Sequence, residues 1–151
     1  MNATGLLGFM VAALLAGAAV PIQTGLNTQL GKAMGSPFLA SLISFIVGTL
    51  SVFMVILINQ PVVPSVSRLI SLPWWIYAGG LCGALFVTAA ILLAPRLGAT
   101  TMLGLFITGQ MLASLAFDHY GSLGFPQHPV SWFRFIGVAL IIAGVFVIQR
   151  F

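Results

Sequence analysis

The sequence predicts an all-α membrane protein of five transmembrane helices, and three observations carry that reading. Of the 151 residues, 60% are hydrophobic and 4% charged, and the mean hydropathy is +1.18. A soluble domain carries roughly 25% charged residues, so this chain has too little charge to cover a surface facing water. Its apolar residues gather into runs near the roughly 20 residues that a helix needs to cross a bilayer core. Those runs are continuous and lack the period-two alternation of barrel strands. Residues 1–151 read as a single membrane domain, because no connecting segment is long enough to fold in water.

The first helix is expected at about residues 5–30. Ala16-Gly17-Ala18 resembles a signal-peptidase site, but Met1-Asn2-Ala3-Thr4 supplies no Lys or Arg before it, and a retained helix is expected. At about 1.5 Å per residue this helix exceeds the bilayer core. Pro21 removes a backbone hydrogen bond in its middle and predicts a kink. The second helix, 37–58, opens on Ser36-Pro37, an N-cap followed by proline at the first helical position. The stretch 60–73 contains Pro61, Pro64 and Pro73 and is expected at the membrane interface. The third helix, 74–94, ends at a tight turn, Ala94-Pro95-Arg96-Leu97-Gly98, which predicts antiparallel third and fourth spans. The fourth, 100–118, precedes the longest remaining loop. The fifth, 132–149, has a short apolar run from Phe135 to Ile148, so Arg134 must snorkel to the headgroups.

Lipid supplies no hydrophobic drive between helices, so small residues mark close approach. Ser44 and Gly48 in the second span, Gly79 and Gly83 as a GxxxG in the third, and Gly137 and Gly144 in the fifth are the expected packing positions.

Polar side chains inside a bundle are costly and become functional candidates. Gln23 and Asn27 stand four apart in the polar half of the first span, with Thr24 beside them. They either line a hydrated cavity or lie exposed at the interface. Gln110, Ser114 and Asp118 follow at four-residue steps on one face of the fourth span. Asp118 is the sole acid of the chain. Beside a hydrated cavity it would bind a cation or exchange a proton and so couple transport. Alternatively it pairs with Arg68 or Arg134.

Five cations, Lys32, Arg68, Arg96, Arg134 and Arg150, raise the pI to about 10.3 but are scattered through the sequence. Nucleic-acid binding needs clustered charge, so they are read as anchors at helix ends. Cys82 is a lone cysteine in an apolar run, and His119 and His128 are too few for a metal site. No phosphate loop or nucleophile–base constellation appears, so neither a cofactor nor enzymatic activity is expected.

Arg68 and Arg134 fall on the side of the amino terminus, against Lys32, Arg96 and Arg150 on the other. This near balance across an odd number of spans predicts insertion in both orientations, giving antiparallel pairs of identical chains. The alternative is one orientation, set by the aromatic anchors Trp74, Trp75 and Trp132 on the amino-terminal side.

Local patterns then become recognisable. Pro21-Ile22-Gln23-Thr24-Gly25-Leu26-Asn27 and Ser44-Phe45-Ile46-Val47-Gly48-Thr49 resemble the opening of the YdcZ-like family. Trp74-Trp75, Gly79-Gly80-Leu81-Cys82-Gly83-Ala84 and Ala94-Pro95-Arg96-Leu97-Gly98-Ala99 resemble its middle. Gly109-Gln110, Asp118-His119-Tyr120-Gly121 and Gly137 resemble its end, with Tyr120 where Phe is commoner. The resemblance runs the length of the chain. It implies a bacterial inner-membrane exporter of the drug/metabolite transporter superfamily, a half-size protein that forms dual-topology homodimers or pairs with an opposed paralogue. The pair would be a ten-helix, inverted-repeat assembly.

The expected function is therefore secondary transport of a small organic solute by alternating access. Gln23, Asn27, Thr24, Gln110 and Ser114 would contact substrate, and Asp118 would couple. A dual-topology ion channel and an accessory subunit of a heterodimeric transporter are the competing readings.

Overall fold

A computed structural model of the chain describes residues 3–150. Met1 and Asn2, with the terminal amine, and Phe151 lie outside the described residues. Within this range every regular element is helical, and five helices are long and apolar enough to cross a membrane. Two compact units, residues 1–95 and 96–151, make up the chain.

The first unit begins with α1, Ala3–Met34, which continues through Pro21 and outlasts the predicted 5–30 at both ends. Gly35, at φ 66°, ends it, and Ser36 caps α2, Pro37–Asn59, with its side chain accepting from the Leu39 amide at 3.4 Å. The Ser36-Pro37 signal thus marks the helix start as the sequence predicts. Only Gly35 and Ser36 separate the two helices, so α1 and α2 form an antiparallel hairpin.

The hairpin is closed near its turn and opens away from it. At Gly31 a Cβ would lie 3.7 Å from that of Ala40 and 3.2 Å from Ile91 Cγ2, so glycine permits the close approach. One helical turn further, Asn27 Nδ2 donates to Ser44 Oγ at 3.1 Å. After one more turn, at Gln23 and Gly48, the walls have parted around a cavity.

After α2, Gln60 adopts φ 43° and returns its amide to the Ile56 carbonyl at 2.8 Å, ending the helix. The proline-bearing segment is not wholly irregular: it holds a short helix, α3, Val66–Ile70. The third span starts as a 3-10 turn, Trp74–Ala78, and continues as α4, Gly79–Leu97. It passes the predicted end at residue 94 because Pro95 is carried inside the helix. The expected five-residue turn is thereby reduced to Gly98 alone, at φ 79°. Thr88 Oγ1 of α4 donates to Ser41 Oγ of α2 at 2.9 Å, and Ser41 in turn donates to the Pro37 carbonyl at 3.0 Å. This hydroxyl relay satisfies groups that hydrocarbon cannot solvate.

The second unit is built on α5, Ala99–Tyr120, and α6, Trp132–Arg150, which pack on each other. Gly104 is the point of closest approach: a Cβ there would lie 2.7 Å from Val145 Cγ2. At the other end, Gly121 (φ 60°) closes α5, and the Phe117 and Phe125 rings stack 6.5 Å apart. Val138 and Val145 are buried, whereas Leu140, Phe146 and most other large apolar side chains are exposed. Such a surface suits lipid as the solvent.

Gly104→Ala is expected to destabilise the protein by about 1–3 kcal/mol through overpacking. Thermal unfolding in detergent should show the loss, and adding Val145→Ala should recover most of it. A Gly104→Ala protein as stable as the parent would contradict the close approach.

Candidate functional site

In the first unit, a cavity of about 530 Å³ opens between α1, α2 and α4. Gln23 enters from α1, Ser44, Gly48 and Thr49 from α2, and Val87 from α4, with Phe45 among the aromatic walls. Gly48 is the twelfth of the 23 residues of α2, so these polar groups lie at mid-helix. In a spanning helix that is the depth of the bilayer midplane. Among the described residues, no charged side chain lines this cavity.

Local hydrogen bonds divide the polar candidates of α1. Gln23 is exposed to the cavity. Asn27 is 8% exposed and spends its amide on Ser44, a lining residue, so it acts on the cavity wall from behind. Thr24 is 4% exposed, and its hydroxyl donates to the Val20 carbonyl at 2.9 Å, within its own helix. Thr28 Oγ1, one turn on, is buried without a hydrogen-bond partner among the described residues.

The packing candidates divide similarly. Ser44 joins α1 to α2 through Asn27, and a Cβ at Gly83 would meet the Phe45 ring at 3.7 Å. At Gly48, Gly79, Gly137 and Gly144 an added Cβ would meet no described atom within 4 Å. Within one chain the close approaches are instead at Gly31 and Gly104. Both carried a usable signal, since Gly31 forms a GxxxG with Gly35 and Gly104 stands midway between Thr100 and Thr108 at four-residue steps.

In the second unit, Asp118 Oδ2 accepts from Arg134 Nη1 at 3.1 Å, one of the two partners the sequence allowed. The same Nη1 donates to the His128 carbonyl at 3.3 Å, and the His128 amide donates to the Asp118 carbonyl at 2.7 Å. Gln127 Nε2 donates to the His119 carbonyl at 3.1 Å, and the Val130 amide to His119 Nδ1 at 3.3 Å. These bonds fold the loop back onto the end of α5. The two histidines thus serve the loop, and the described residues contain no cluster suited to a metal ion. A second cavity, of about 380 Å³, runs from the ion pair past Ser114 to Met111, Gly137 and Ile141. Gln110 is exposed on α5 and lines neither cavity.

Thr49, Phe45 and Val87 were not expected as site residues from the sequence. Thr49 carried a usable signal, as a hydroxyl beside Gly48 at the middle of a highly apolar run. Phe45 lay inside the Ser44–Thr49 stretch that carries the family resemblance, whereas Val87 carried no signal, being indistinguishable from a lipid-facing residue.

Comparison with known proteins agrees with this architecture. Residues 8–147 match the family described as "Putative inner membrane exporter, YdcZ". The chain is also similar to the inner membrane protein YdcZ of Escherichia coli (strain K12), with 25% identity over 150 residues covering 99% of this chain and 98% of that one. No solved structure matches it significantly. With nearly its whole length accounted for by one family and five apolar helices in place, this chain belongs to the YdcZ family of multi-pass inner-membrane exporters.

Proposed function

We propose that the protein exports a small, uncharged or weakly polar organic solute by alternating access, using the cavity between α1, α2 and α4 as one wall of the path. The observation that carries this reading is the cavity's lining: three neutral hydrogen-bonding side chains at mid-helix, with apolar and aromatic surface around them. Its size lies within the roughly 300–1,000 Å³ of small-molecule sites, which are likewise mostly apolar with a few placed polar groups. A solute carrying a fixed charge would find no counter-charge there. One with an apolar body and one or two hydrogen-bonding groups would be met by Gln23, Ser44 and Thr49, while Asn27 holds Ser44 in position.

In this reading two copies insert in opposite orientations, or one copy meets an opposed paralogue, and inverted repeats of this kind place their sites near the midplane. Coupling would run through Asp118. Because its carboxylate holds Arg134, a proton or a cation must compete with the guanidinium, and that competition is what would link binding to movement. Gln110 is the remaining hydrogen-bonding candidate on α5.

The test is a thermal-shift screen of a solute panel on the purified protein, followed by counterflow in proteoliposomes. Gly48→Trp should fill the cavity and Gln23→Leu should remove its amide, each lowering counterflow at least about tenfold, about 1.4 kcal/mol of lost interaction. Hits that bind and exchange equally in both variants would place the path elsewhere, and rapid uncoupled flux would indicate a channel.

Asp118→Asn should abolish transport driven by a pH gradient and leave solute exchange intact. Undiminished gradient dependence in this variant would remove Asp118 from coupling. Two lysines added at one terminus should suppress activity by imposing one orientation, with the unmodified chain restoring it in trans. Labelling of single-cysteine variants from one side of the membrane only would rule out dual insertion.

A further inference from the structure

The cavity between α5 and α6 differs in chemistry from the transport cavity. One end is apolar, lined by Met111, Leu115, Val138 and Ile141, and the other carries the Asp118–Arg134 pair. Asp118 and Arg134 lie at the same end of the helix pair as Trp132, which is 80% exposed at the start of α6. Exposed tryptophans at helix ends sit at headgroup level, so the charged end faces the headgroups and the apolar end descends into hydrocarbon. Met111 lies seven residues before Asp118 along α5, a descent of about 10 Å.

The ion pair is only half used. Among the described residues, Arg134 employs Nη1 alone, leaving Nε and Nη2 without acceptors, and Asp118 Oδ1 receives no donor. The side chains remain 40% and 31% exposed, respectively. A cation donor face and an anion acceptor face, a few ångströms apart, are thus presented side by side above an apolar groove. A zwitterion with its anionic and ammonium groups adjacent matches this arrangement, the anion on the guanidinium and the N–H donors of the ammonium on the carboxylate.

We propose that the α5–α6 cavity binds an aminophospholipid of the phosphatidylethanolamine type, its phosphate on Arg134, its ammonium on Asp118 and the start of one acyl chain along Met111 and Ile141. The proposal concerns a different cavity from the transport path and shares with the transport reading only the Asp118–Arg134 pair; it is tested by lipid binding, which stands or falls apart from solute flux. A primary ammonium donates hydrogen bonds to Oδ1 that a trimethylammonium cannot, and an anionic headgroup without an amine leaves Asp118 facing negative charge. The site therefore discriminates among lipids of similar size. The loop folded back over Asp118 and His119 holds the pair at the mouth of the groove.

The experiment is native mass spectrometry of the purified full-length protein, with thermal unfolding in detergent supplemented by phosphatidylethanolamine, phosphatidylcholine or phosphatidylglycerol. Phosphatidylethanolamine should be retained about tenfold better than the other two and should raise the unfolding temperature most. Arg134→Gln should weaken it about tenfold, and Asp118→Asn should erase its advantage over phosphatidylcholine. Ile141→Trp, which fills the apolar end without touching the pair, should reduce retention of all three lipids, while Arg68→Gln should change nothing. Equal retention of the three lipids by the parent protein would overturn the proposal, as would undiminished phosphatidylethanolamine retention in Arg134→Gln or Ile141→Trp. Soluble phosphoethanolamine that displaces the lipid at equal concentration would also overturn it, by identifying a free solute as the ligand.

Discussion

The hydrogen bond from Asn27 to Ser44 governs the geometry of the first unit. An amide and a hydroxyl inside hydrocarbon must find partners, and here each is the other's partner across the α1–α2 hairpin. Such bonds contribute about 0.6–2 kcal/mol in membranes, so the consequence lies less in energy than in register. One turn to one side, Gly31 and Ala40 bring the helices together; one turn to the other, Gln23 and Gly48 stand apart at the cavity. The bond sits at the fork between packed helix and open space. Ser41 and Thr88 extend the same logic to α4, so that three helices share hydroxyl and amide contacts near the base of the cavity.

The second unit uses a different device. Its helices are drawn together by the absence of a side chain at Gly104, beneath Val145, and by an ion pair at the opposite end. An exposed pair is worth little by itself, typically under about 1 kcal/mol. The Asp118–Arg134 bond is better understood as positional. It brings together the carboxylate, the guanidinium and the loop carbonyl of His128, and it leaves hydrogen-bonding capacity directed outward. A half-exposed pair such as this one exchanges hydrogen-bond partners at smaller cost than a buried pair would.

The two cavities therefore differ in chemistry for physical reasons. A cavity at mid-helix depth cannot keep an uncompensated charge, so neutral side chains line it. A cavity that reaches the headgroup level can hold both signs of charge at its mouth.

Composition and run length by themselves determined the helical class, the five spans and most of their limits, because transfer into hydrocarbon is paid residue by residue and depends little on tertiary context. The Ser36-Pro37 start was legible for the same local reason. The extension of α4 through Pro95 was not, because proline's effect depends on whether neighbouring groups accommodate the lost hydrogen bond. Spacing placed Gln23, Asn27 and Thr24 on one stretch of helix, but only tertiary structure assigned Gln23 to a cavity, Asn27 to a neighbouring helix and Thr24 to its own backbone. Those outcomes turn on which atom lies within 3 Å. The same holds for Asp118. The sequence named two possible cations, and the packing of α5 on α6 chose Arg134, because an ion pair is decided by distance in space and not by separation along the chain.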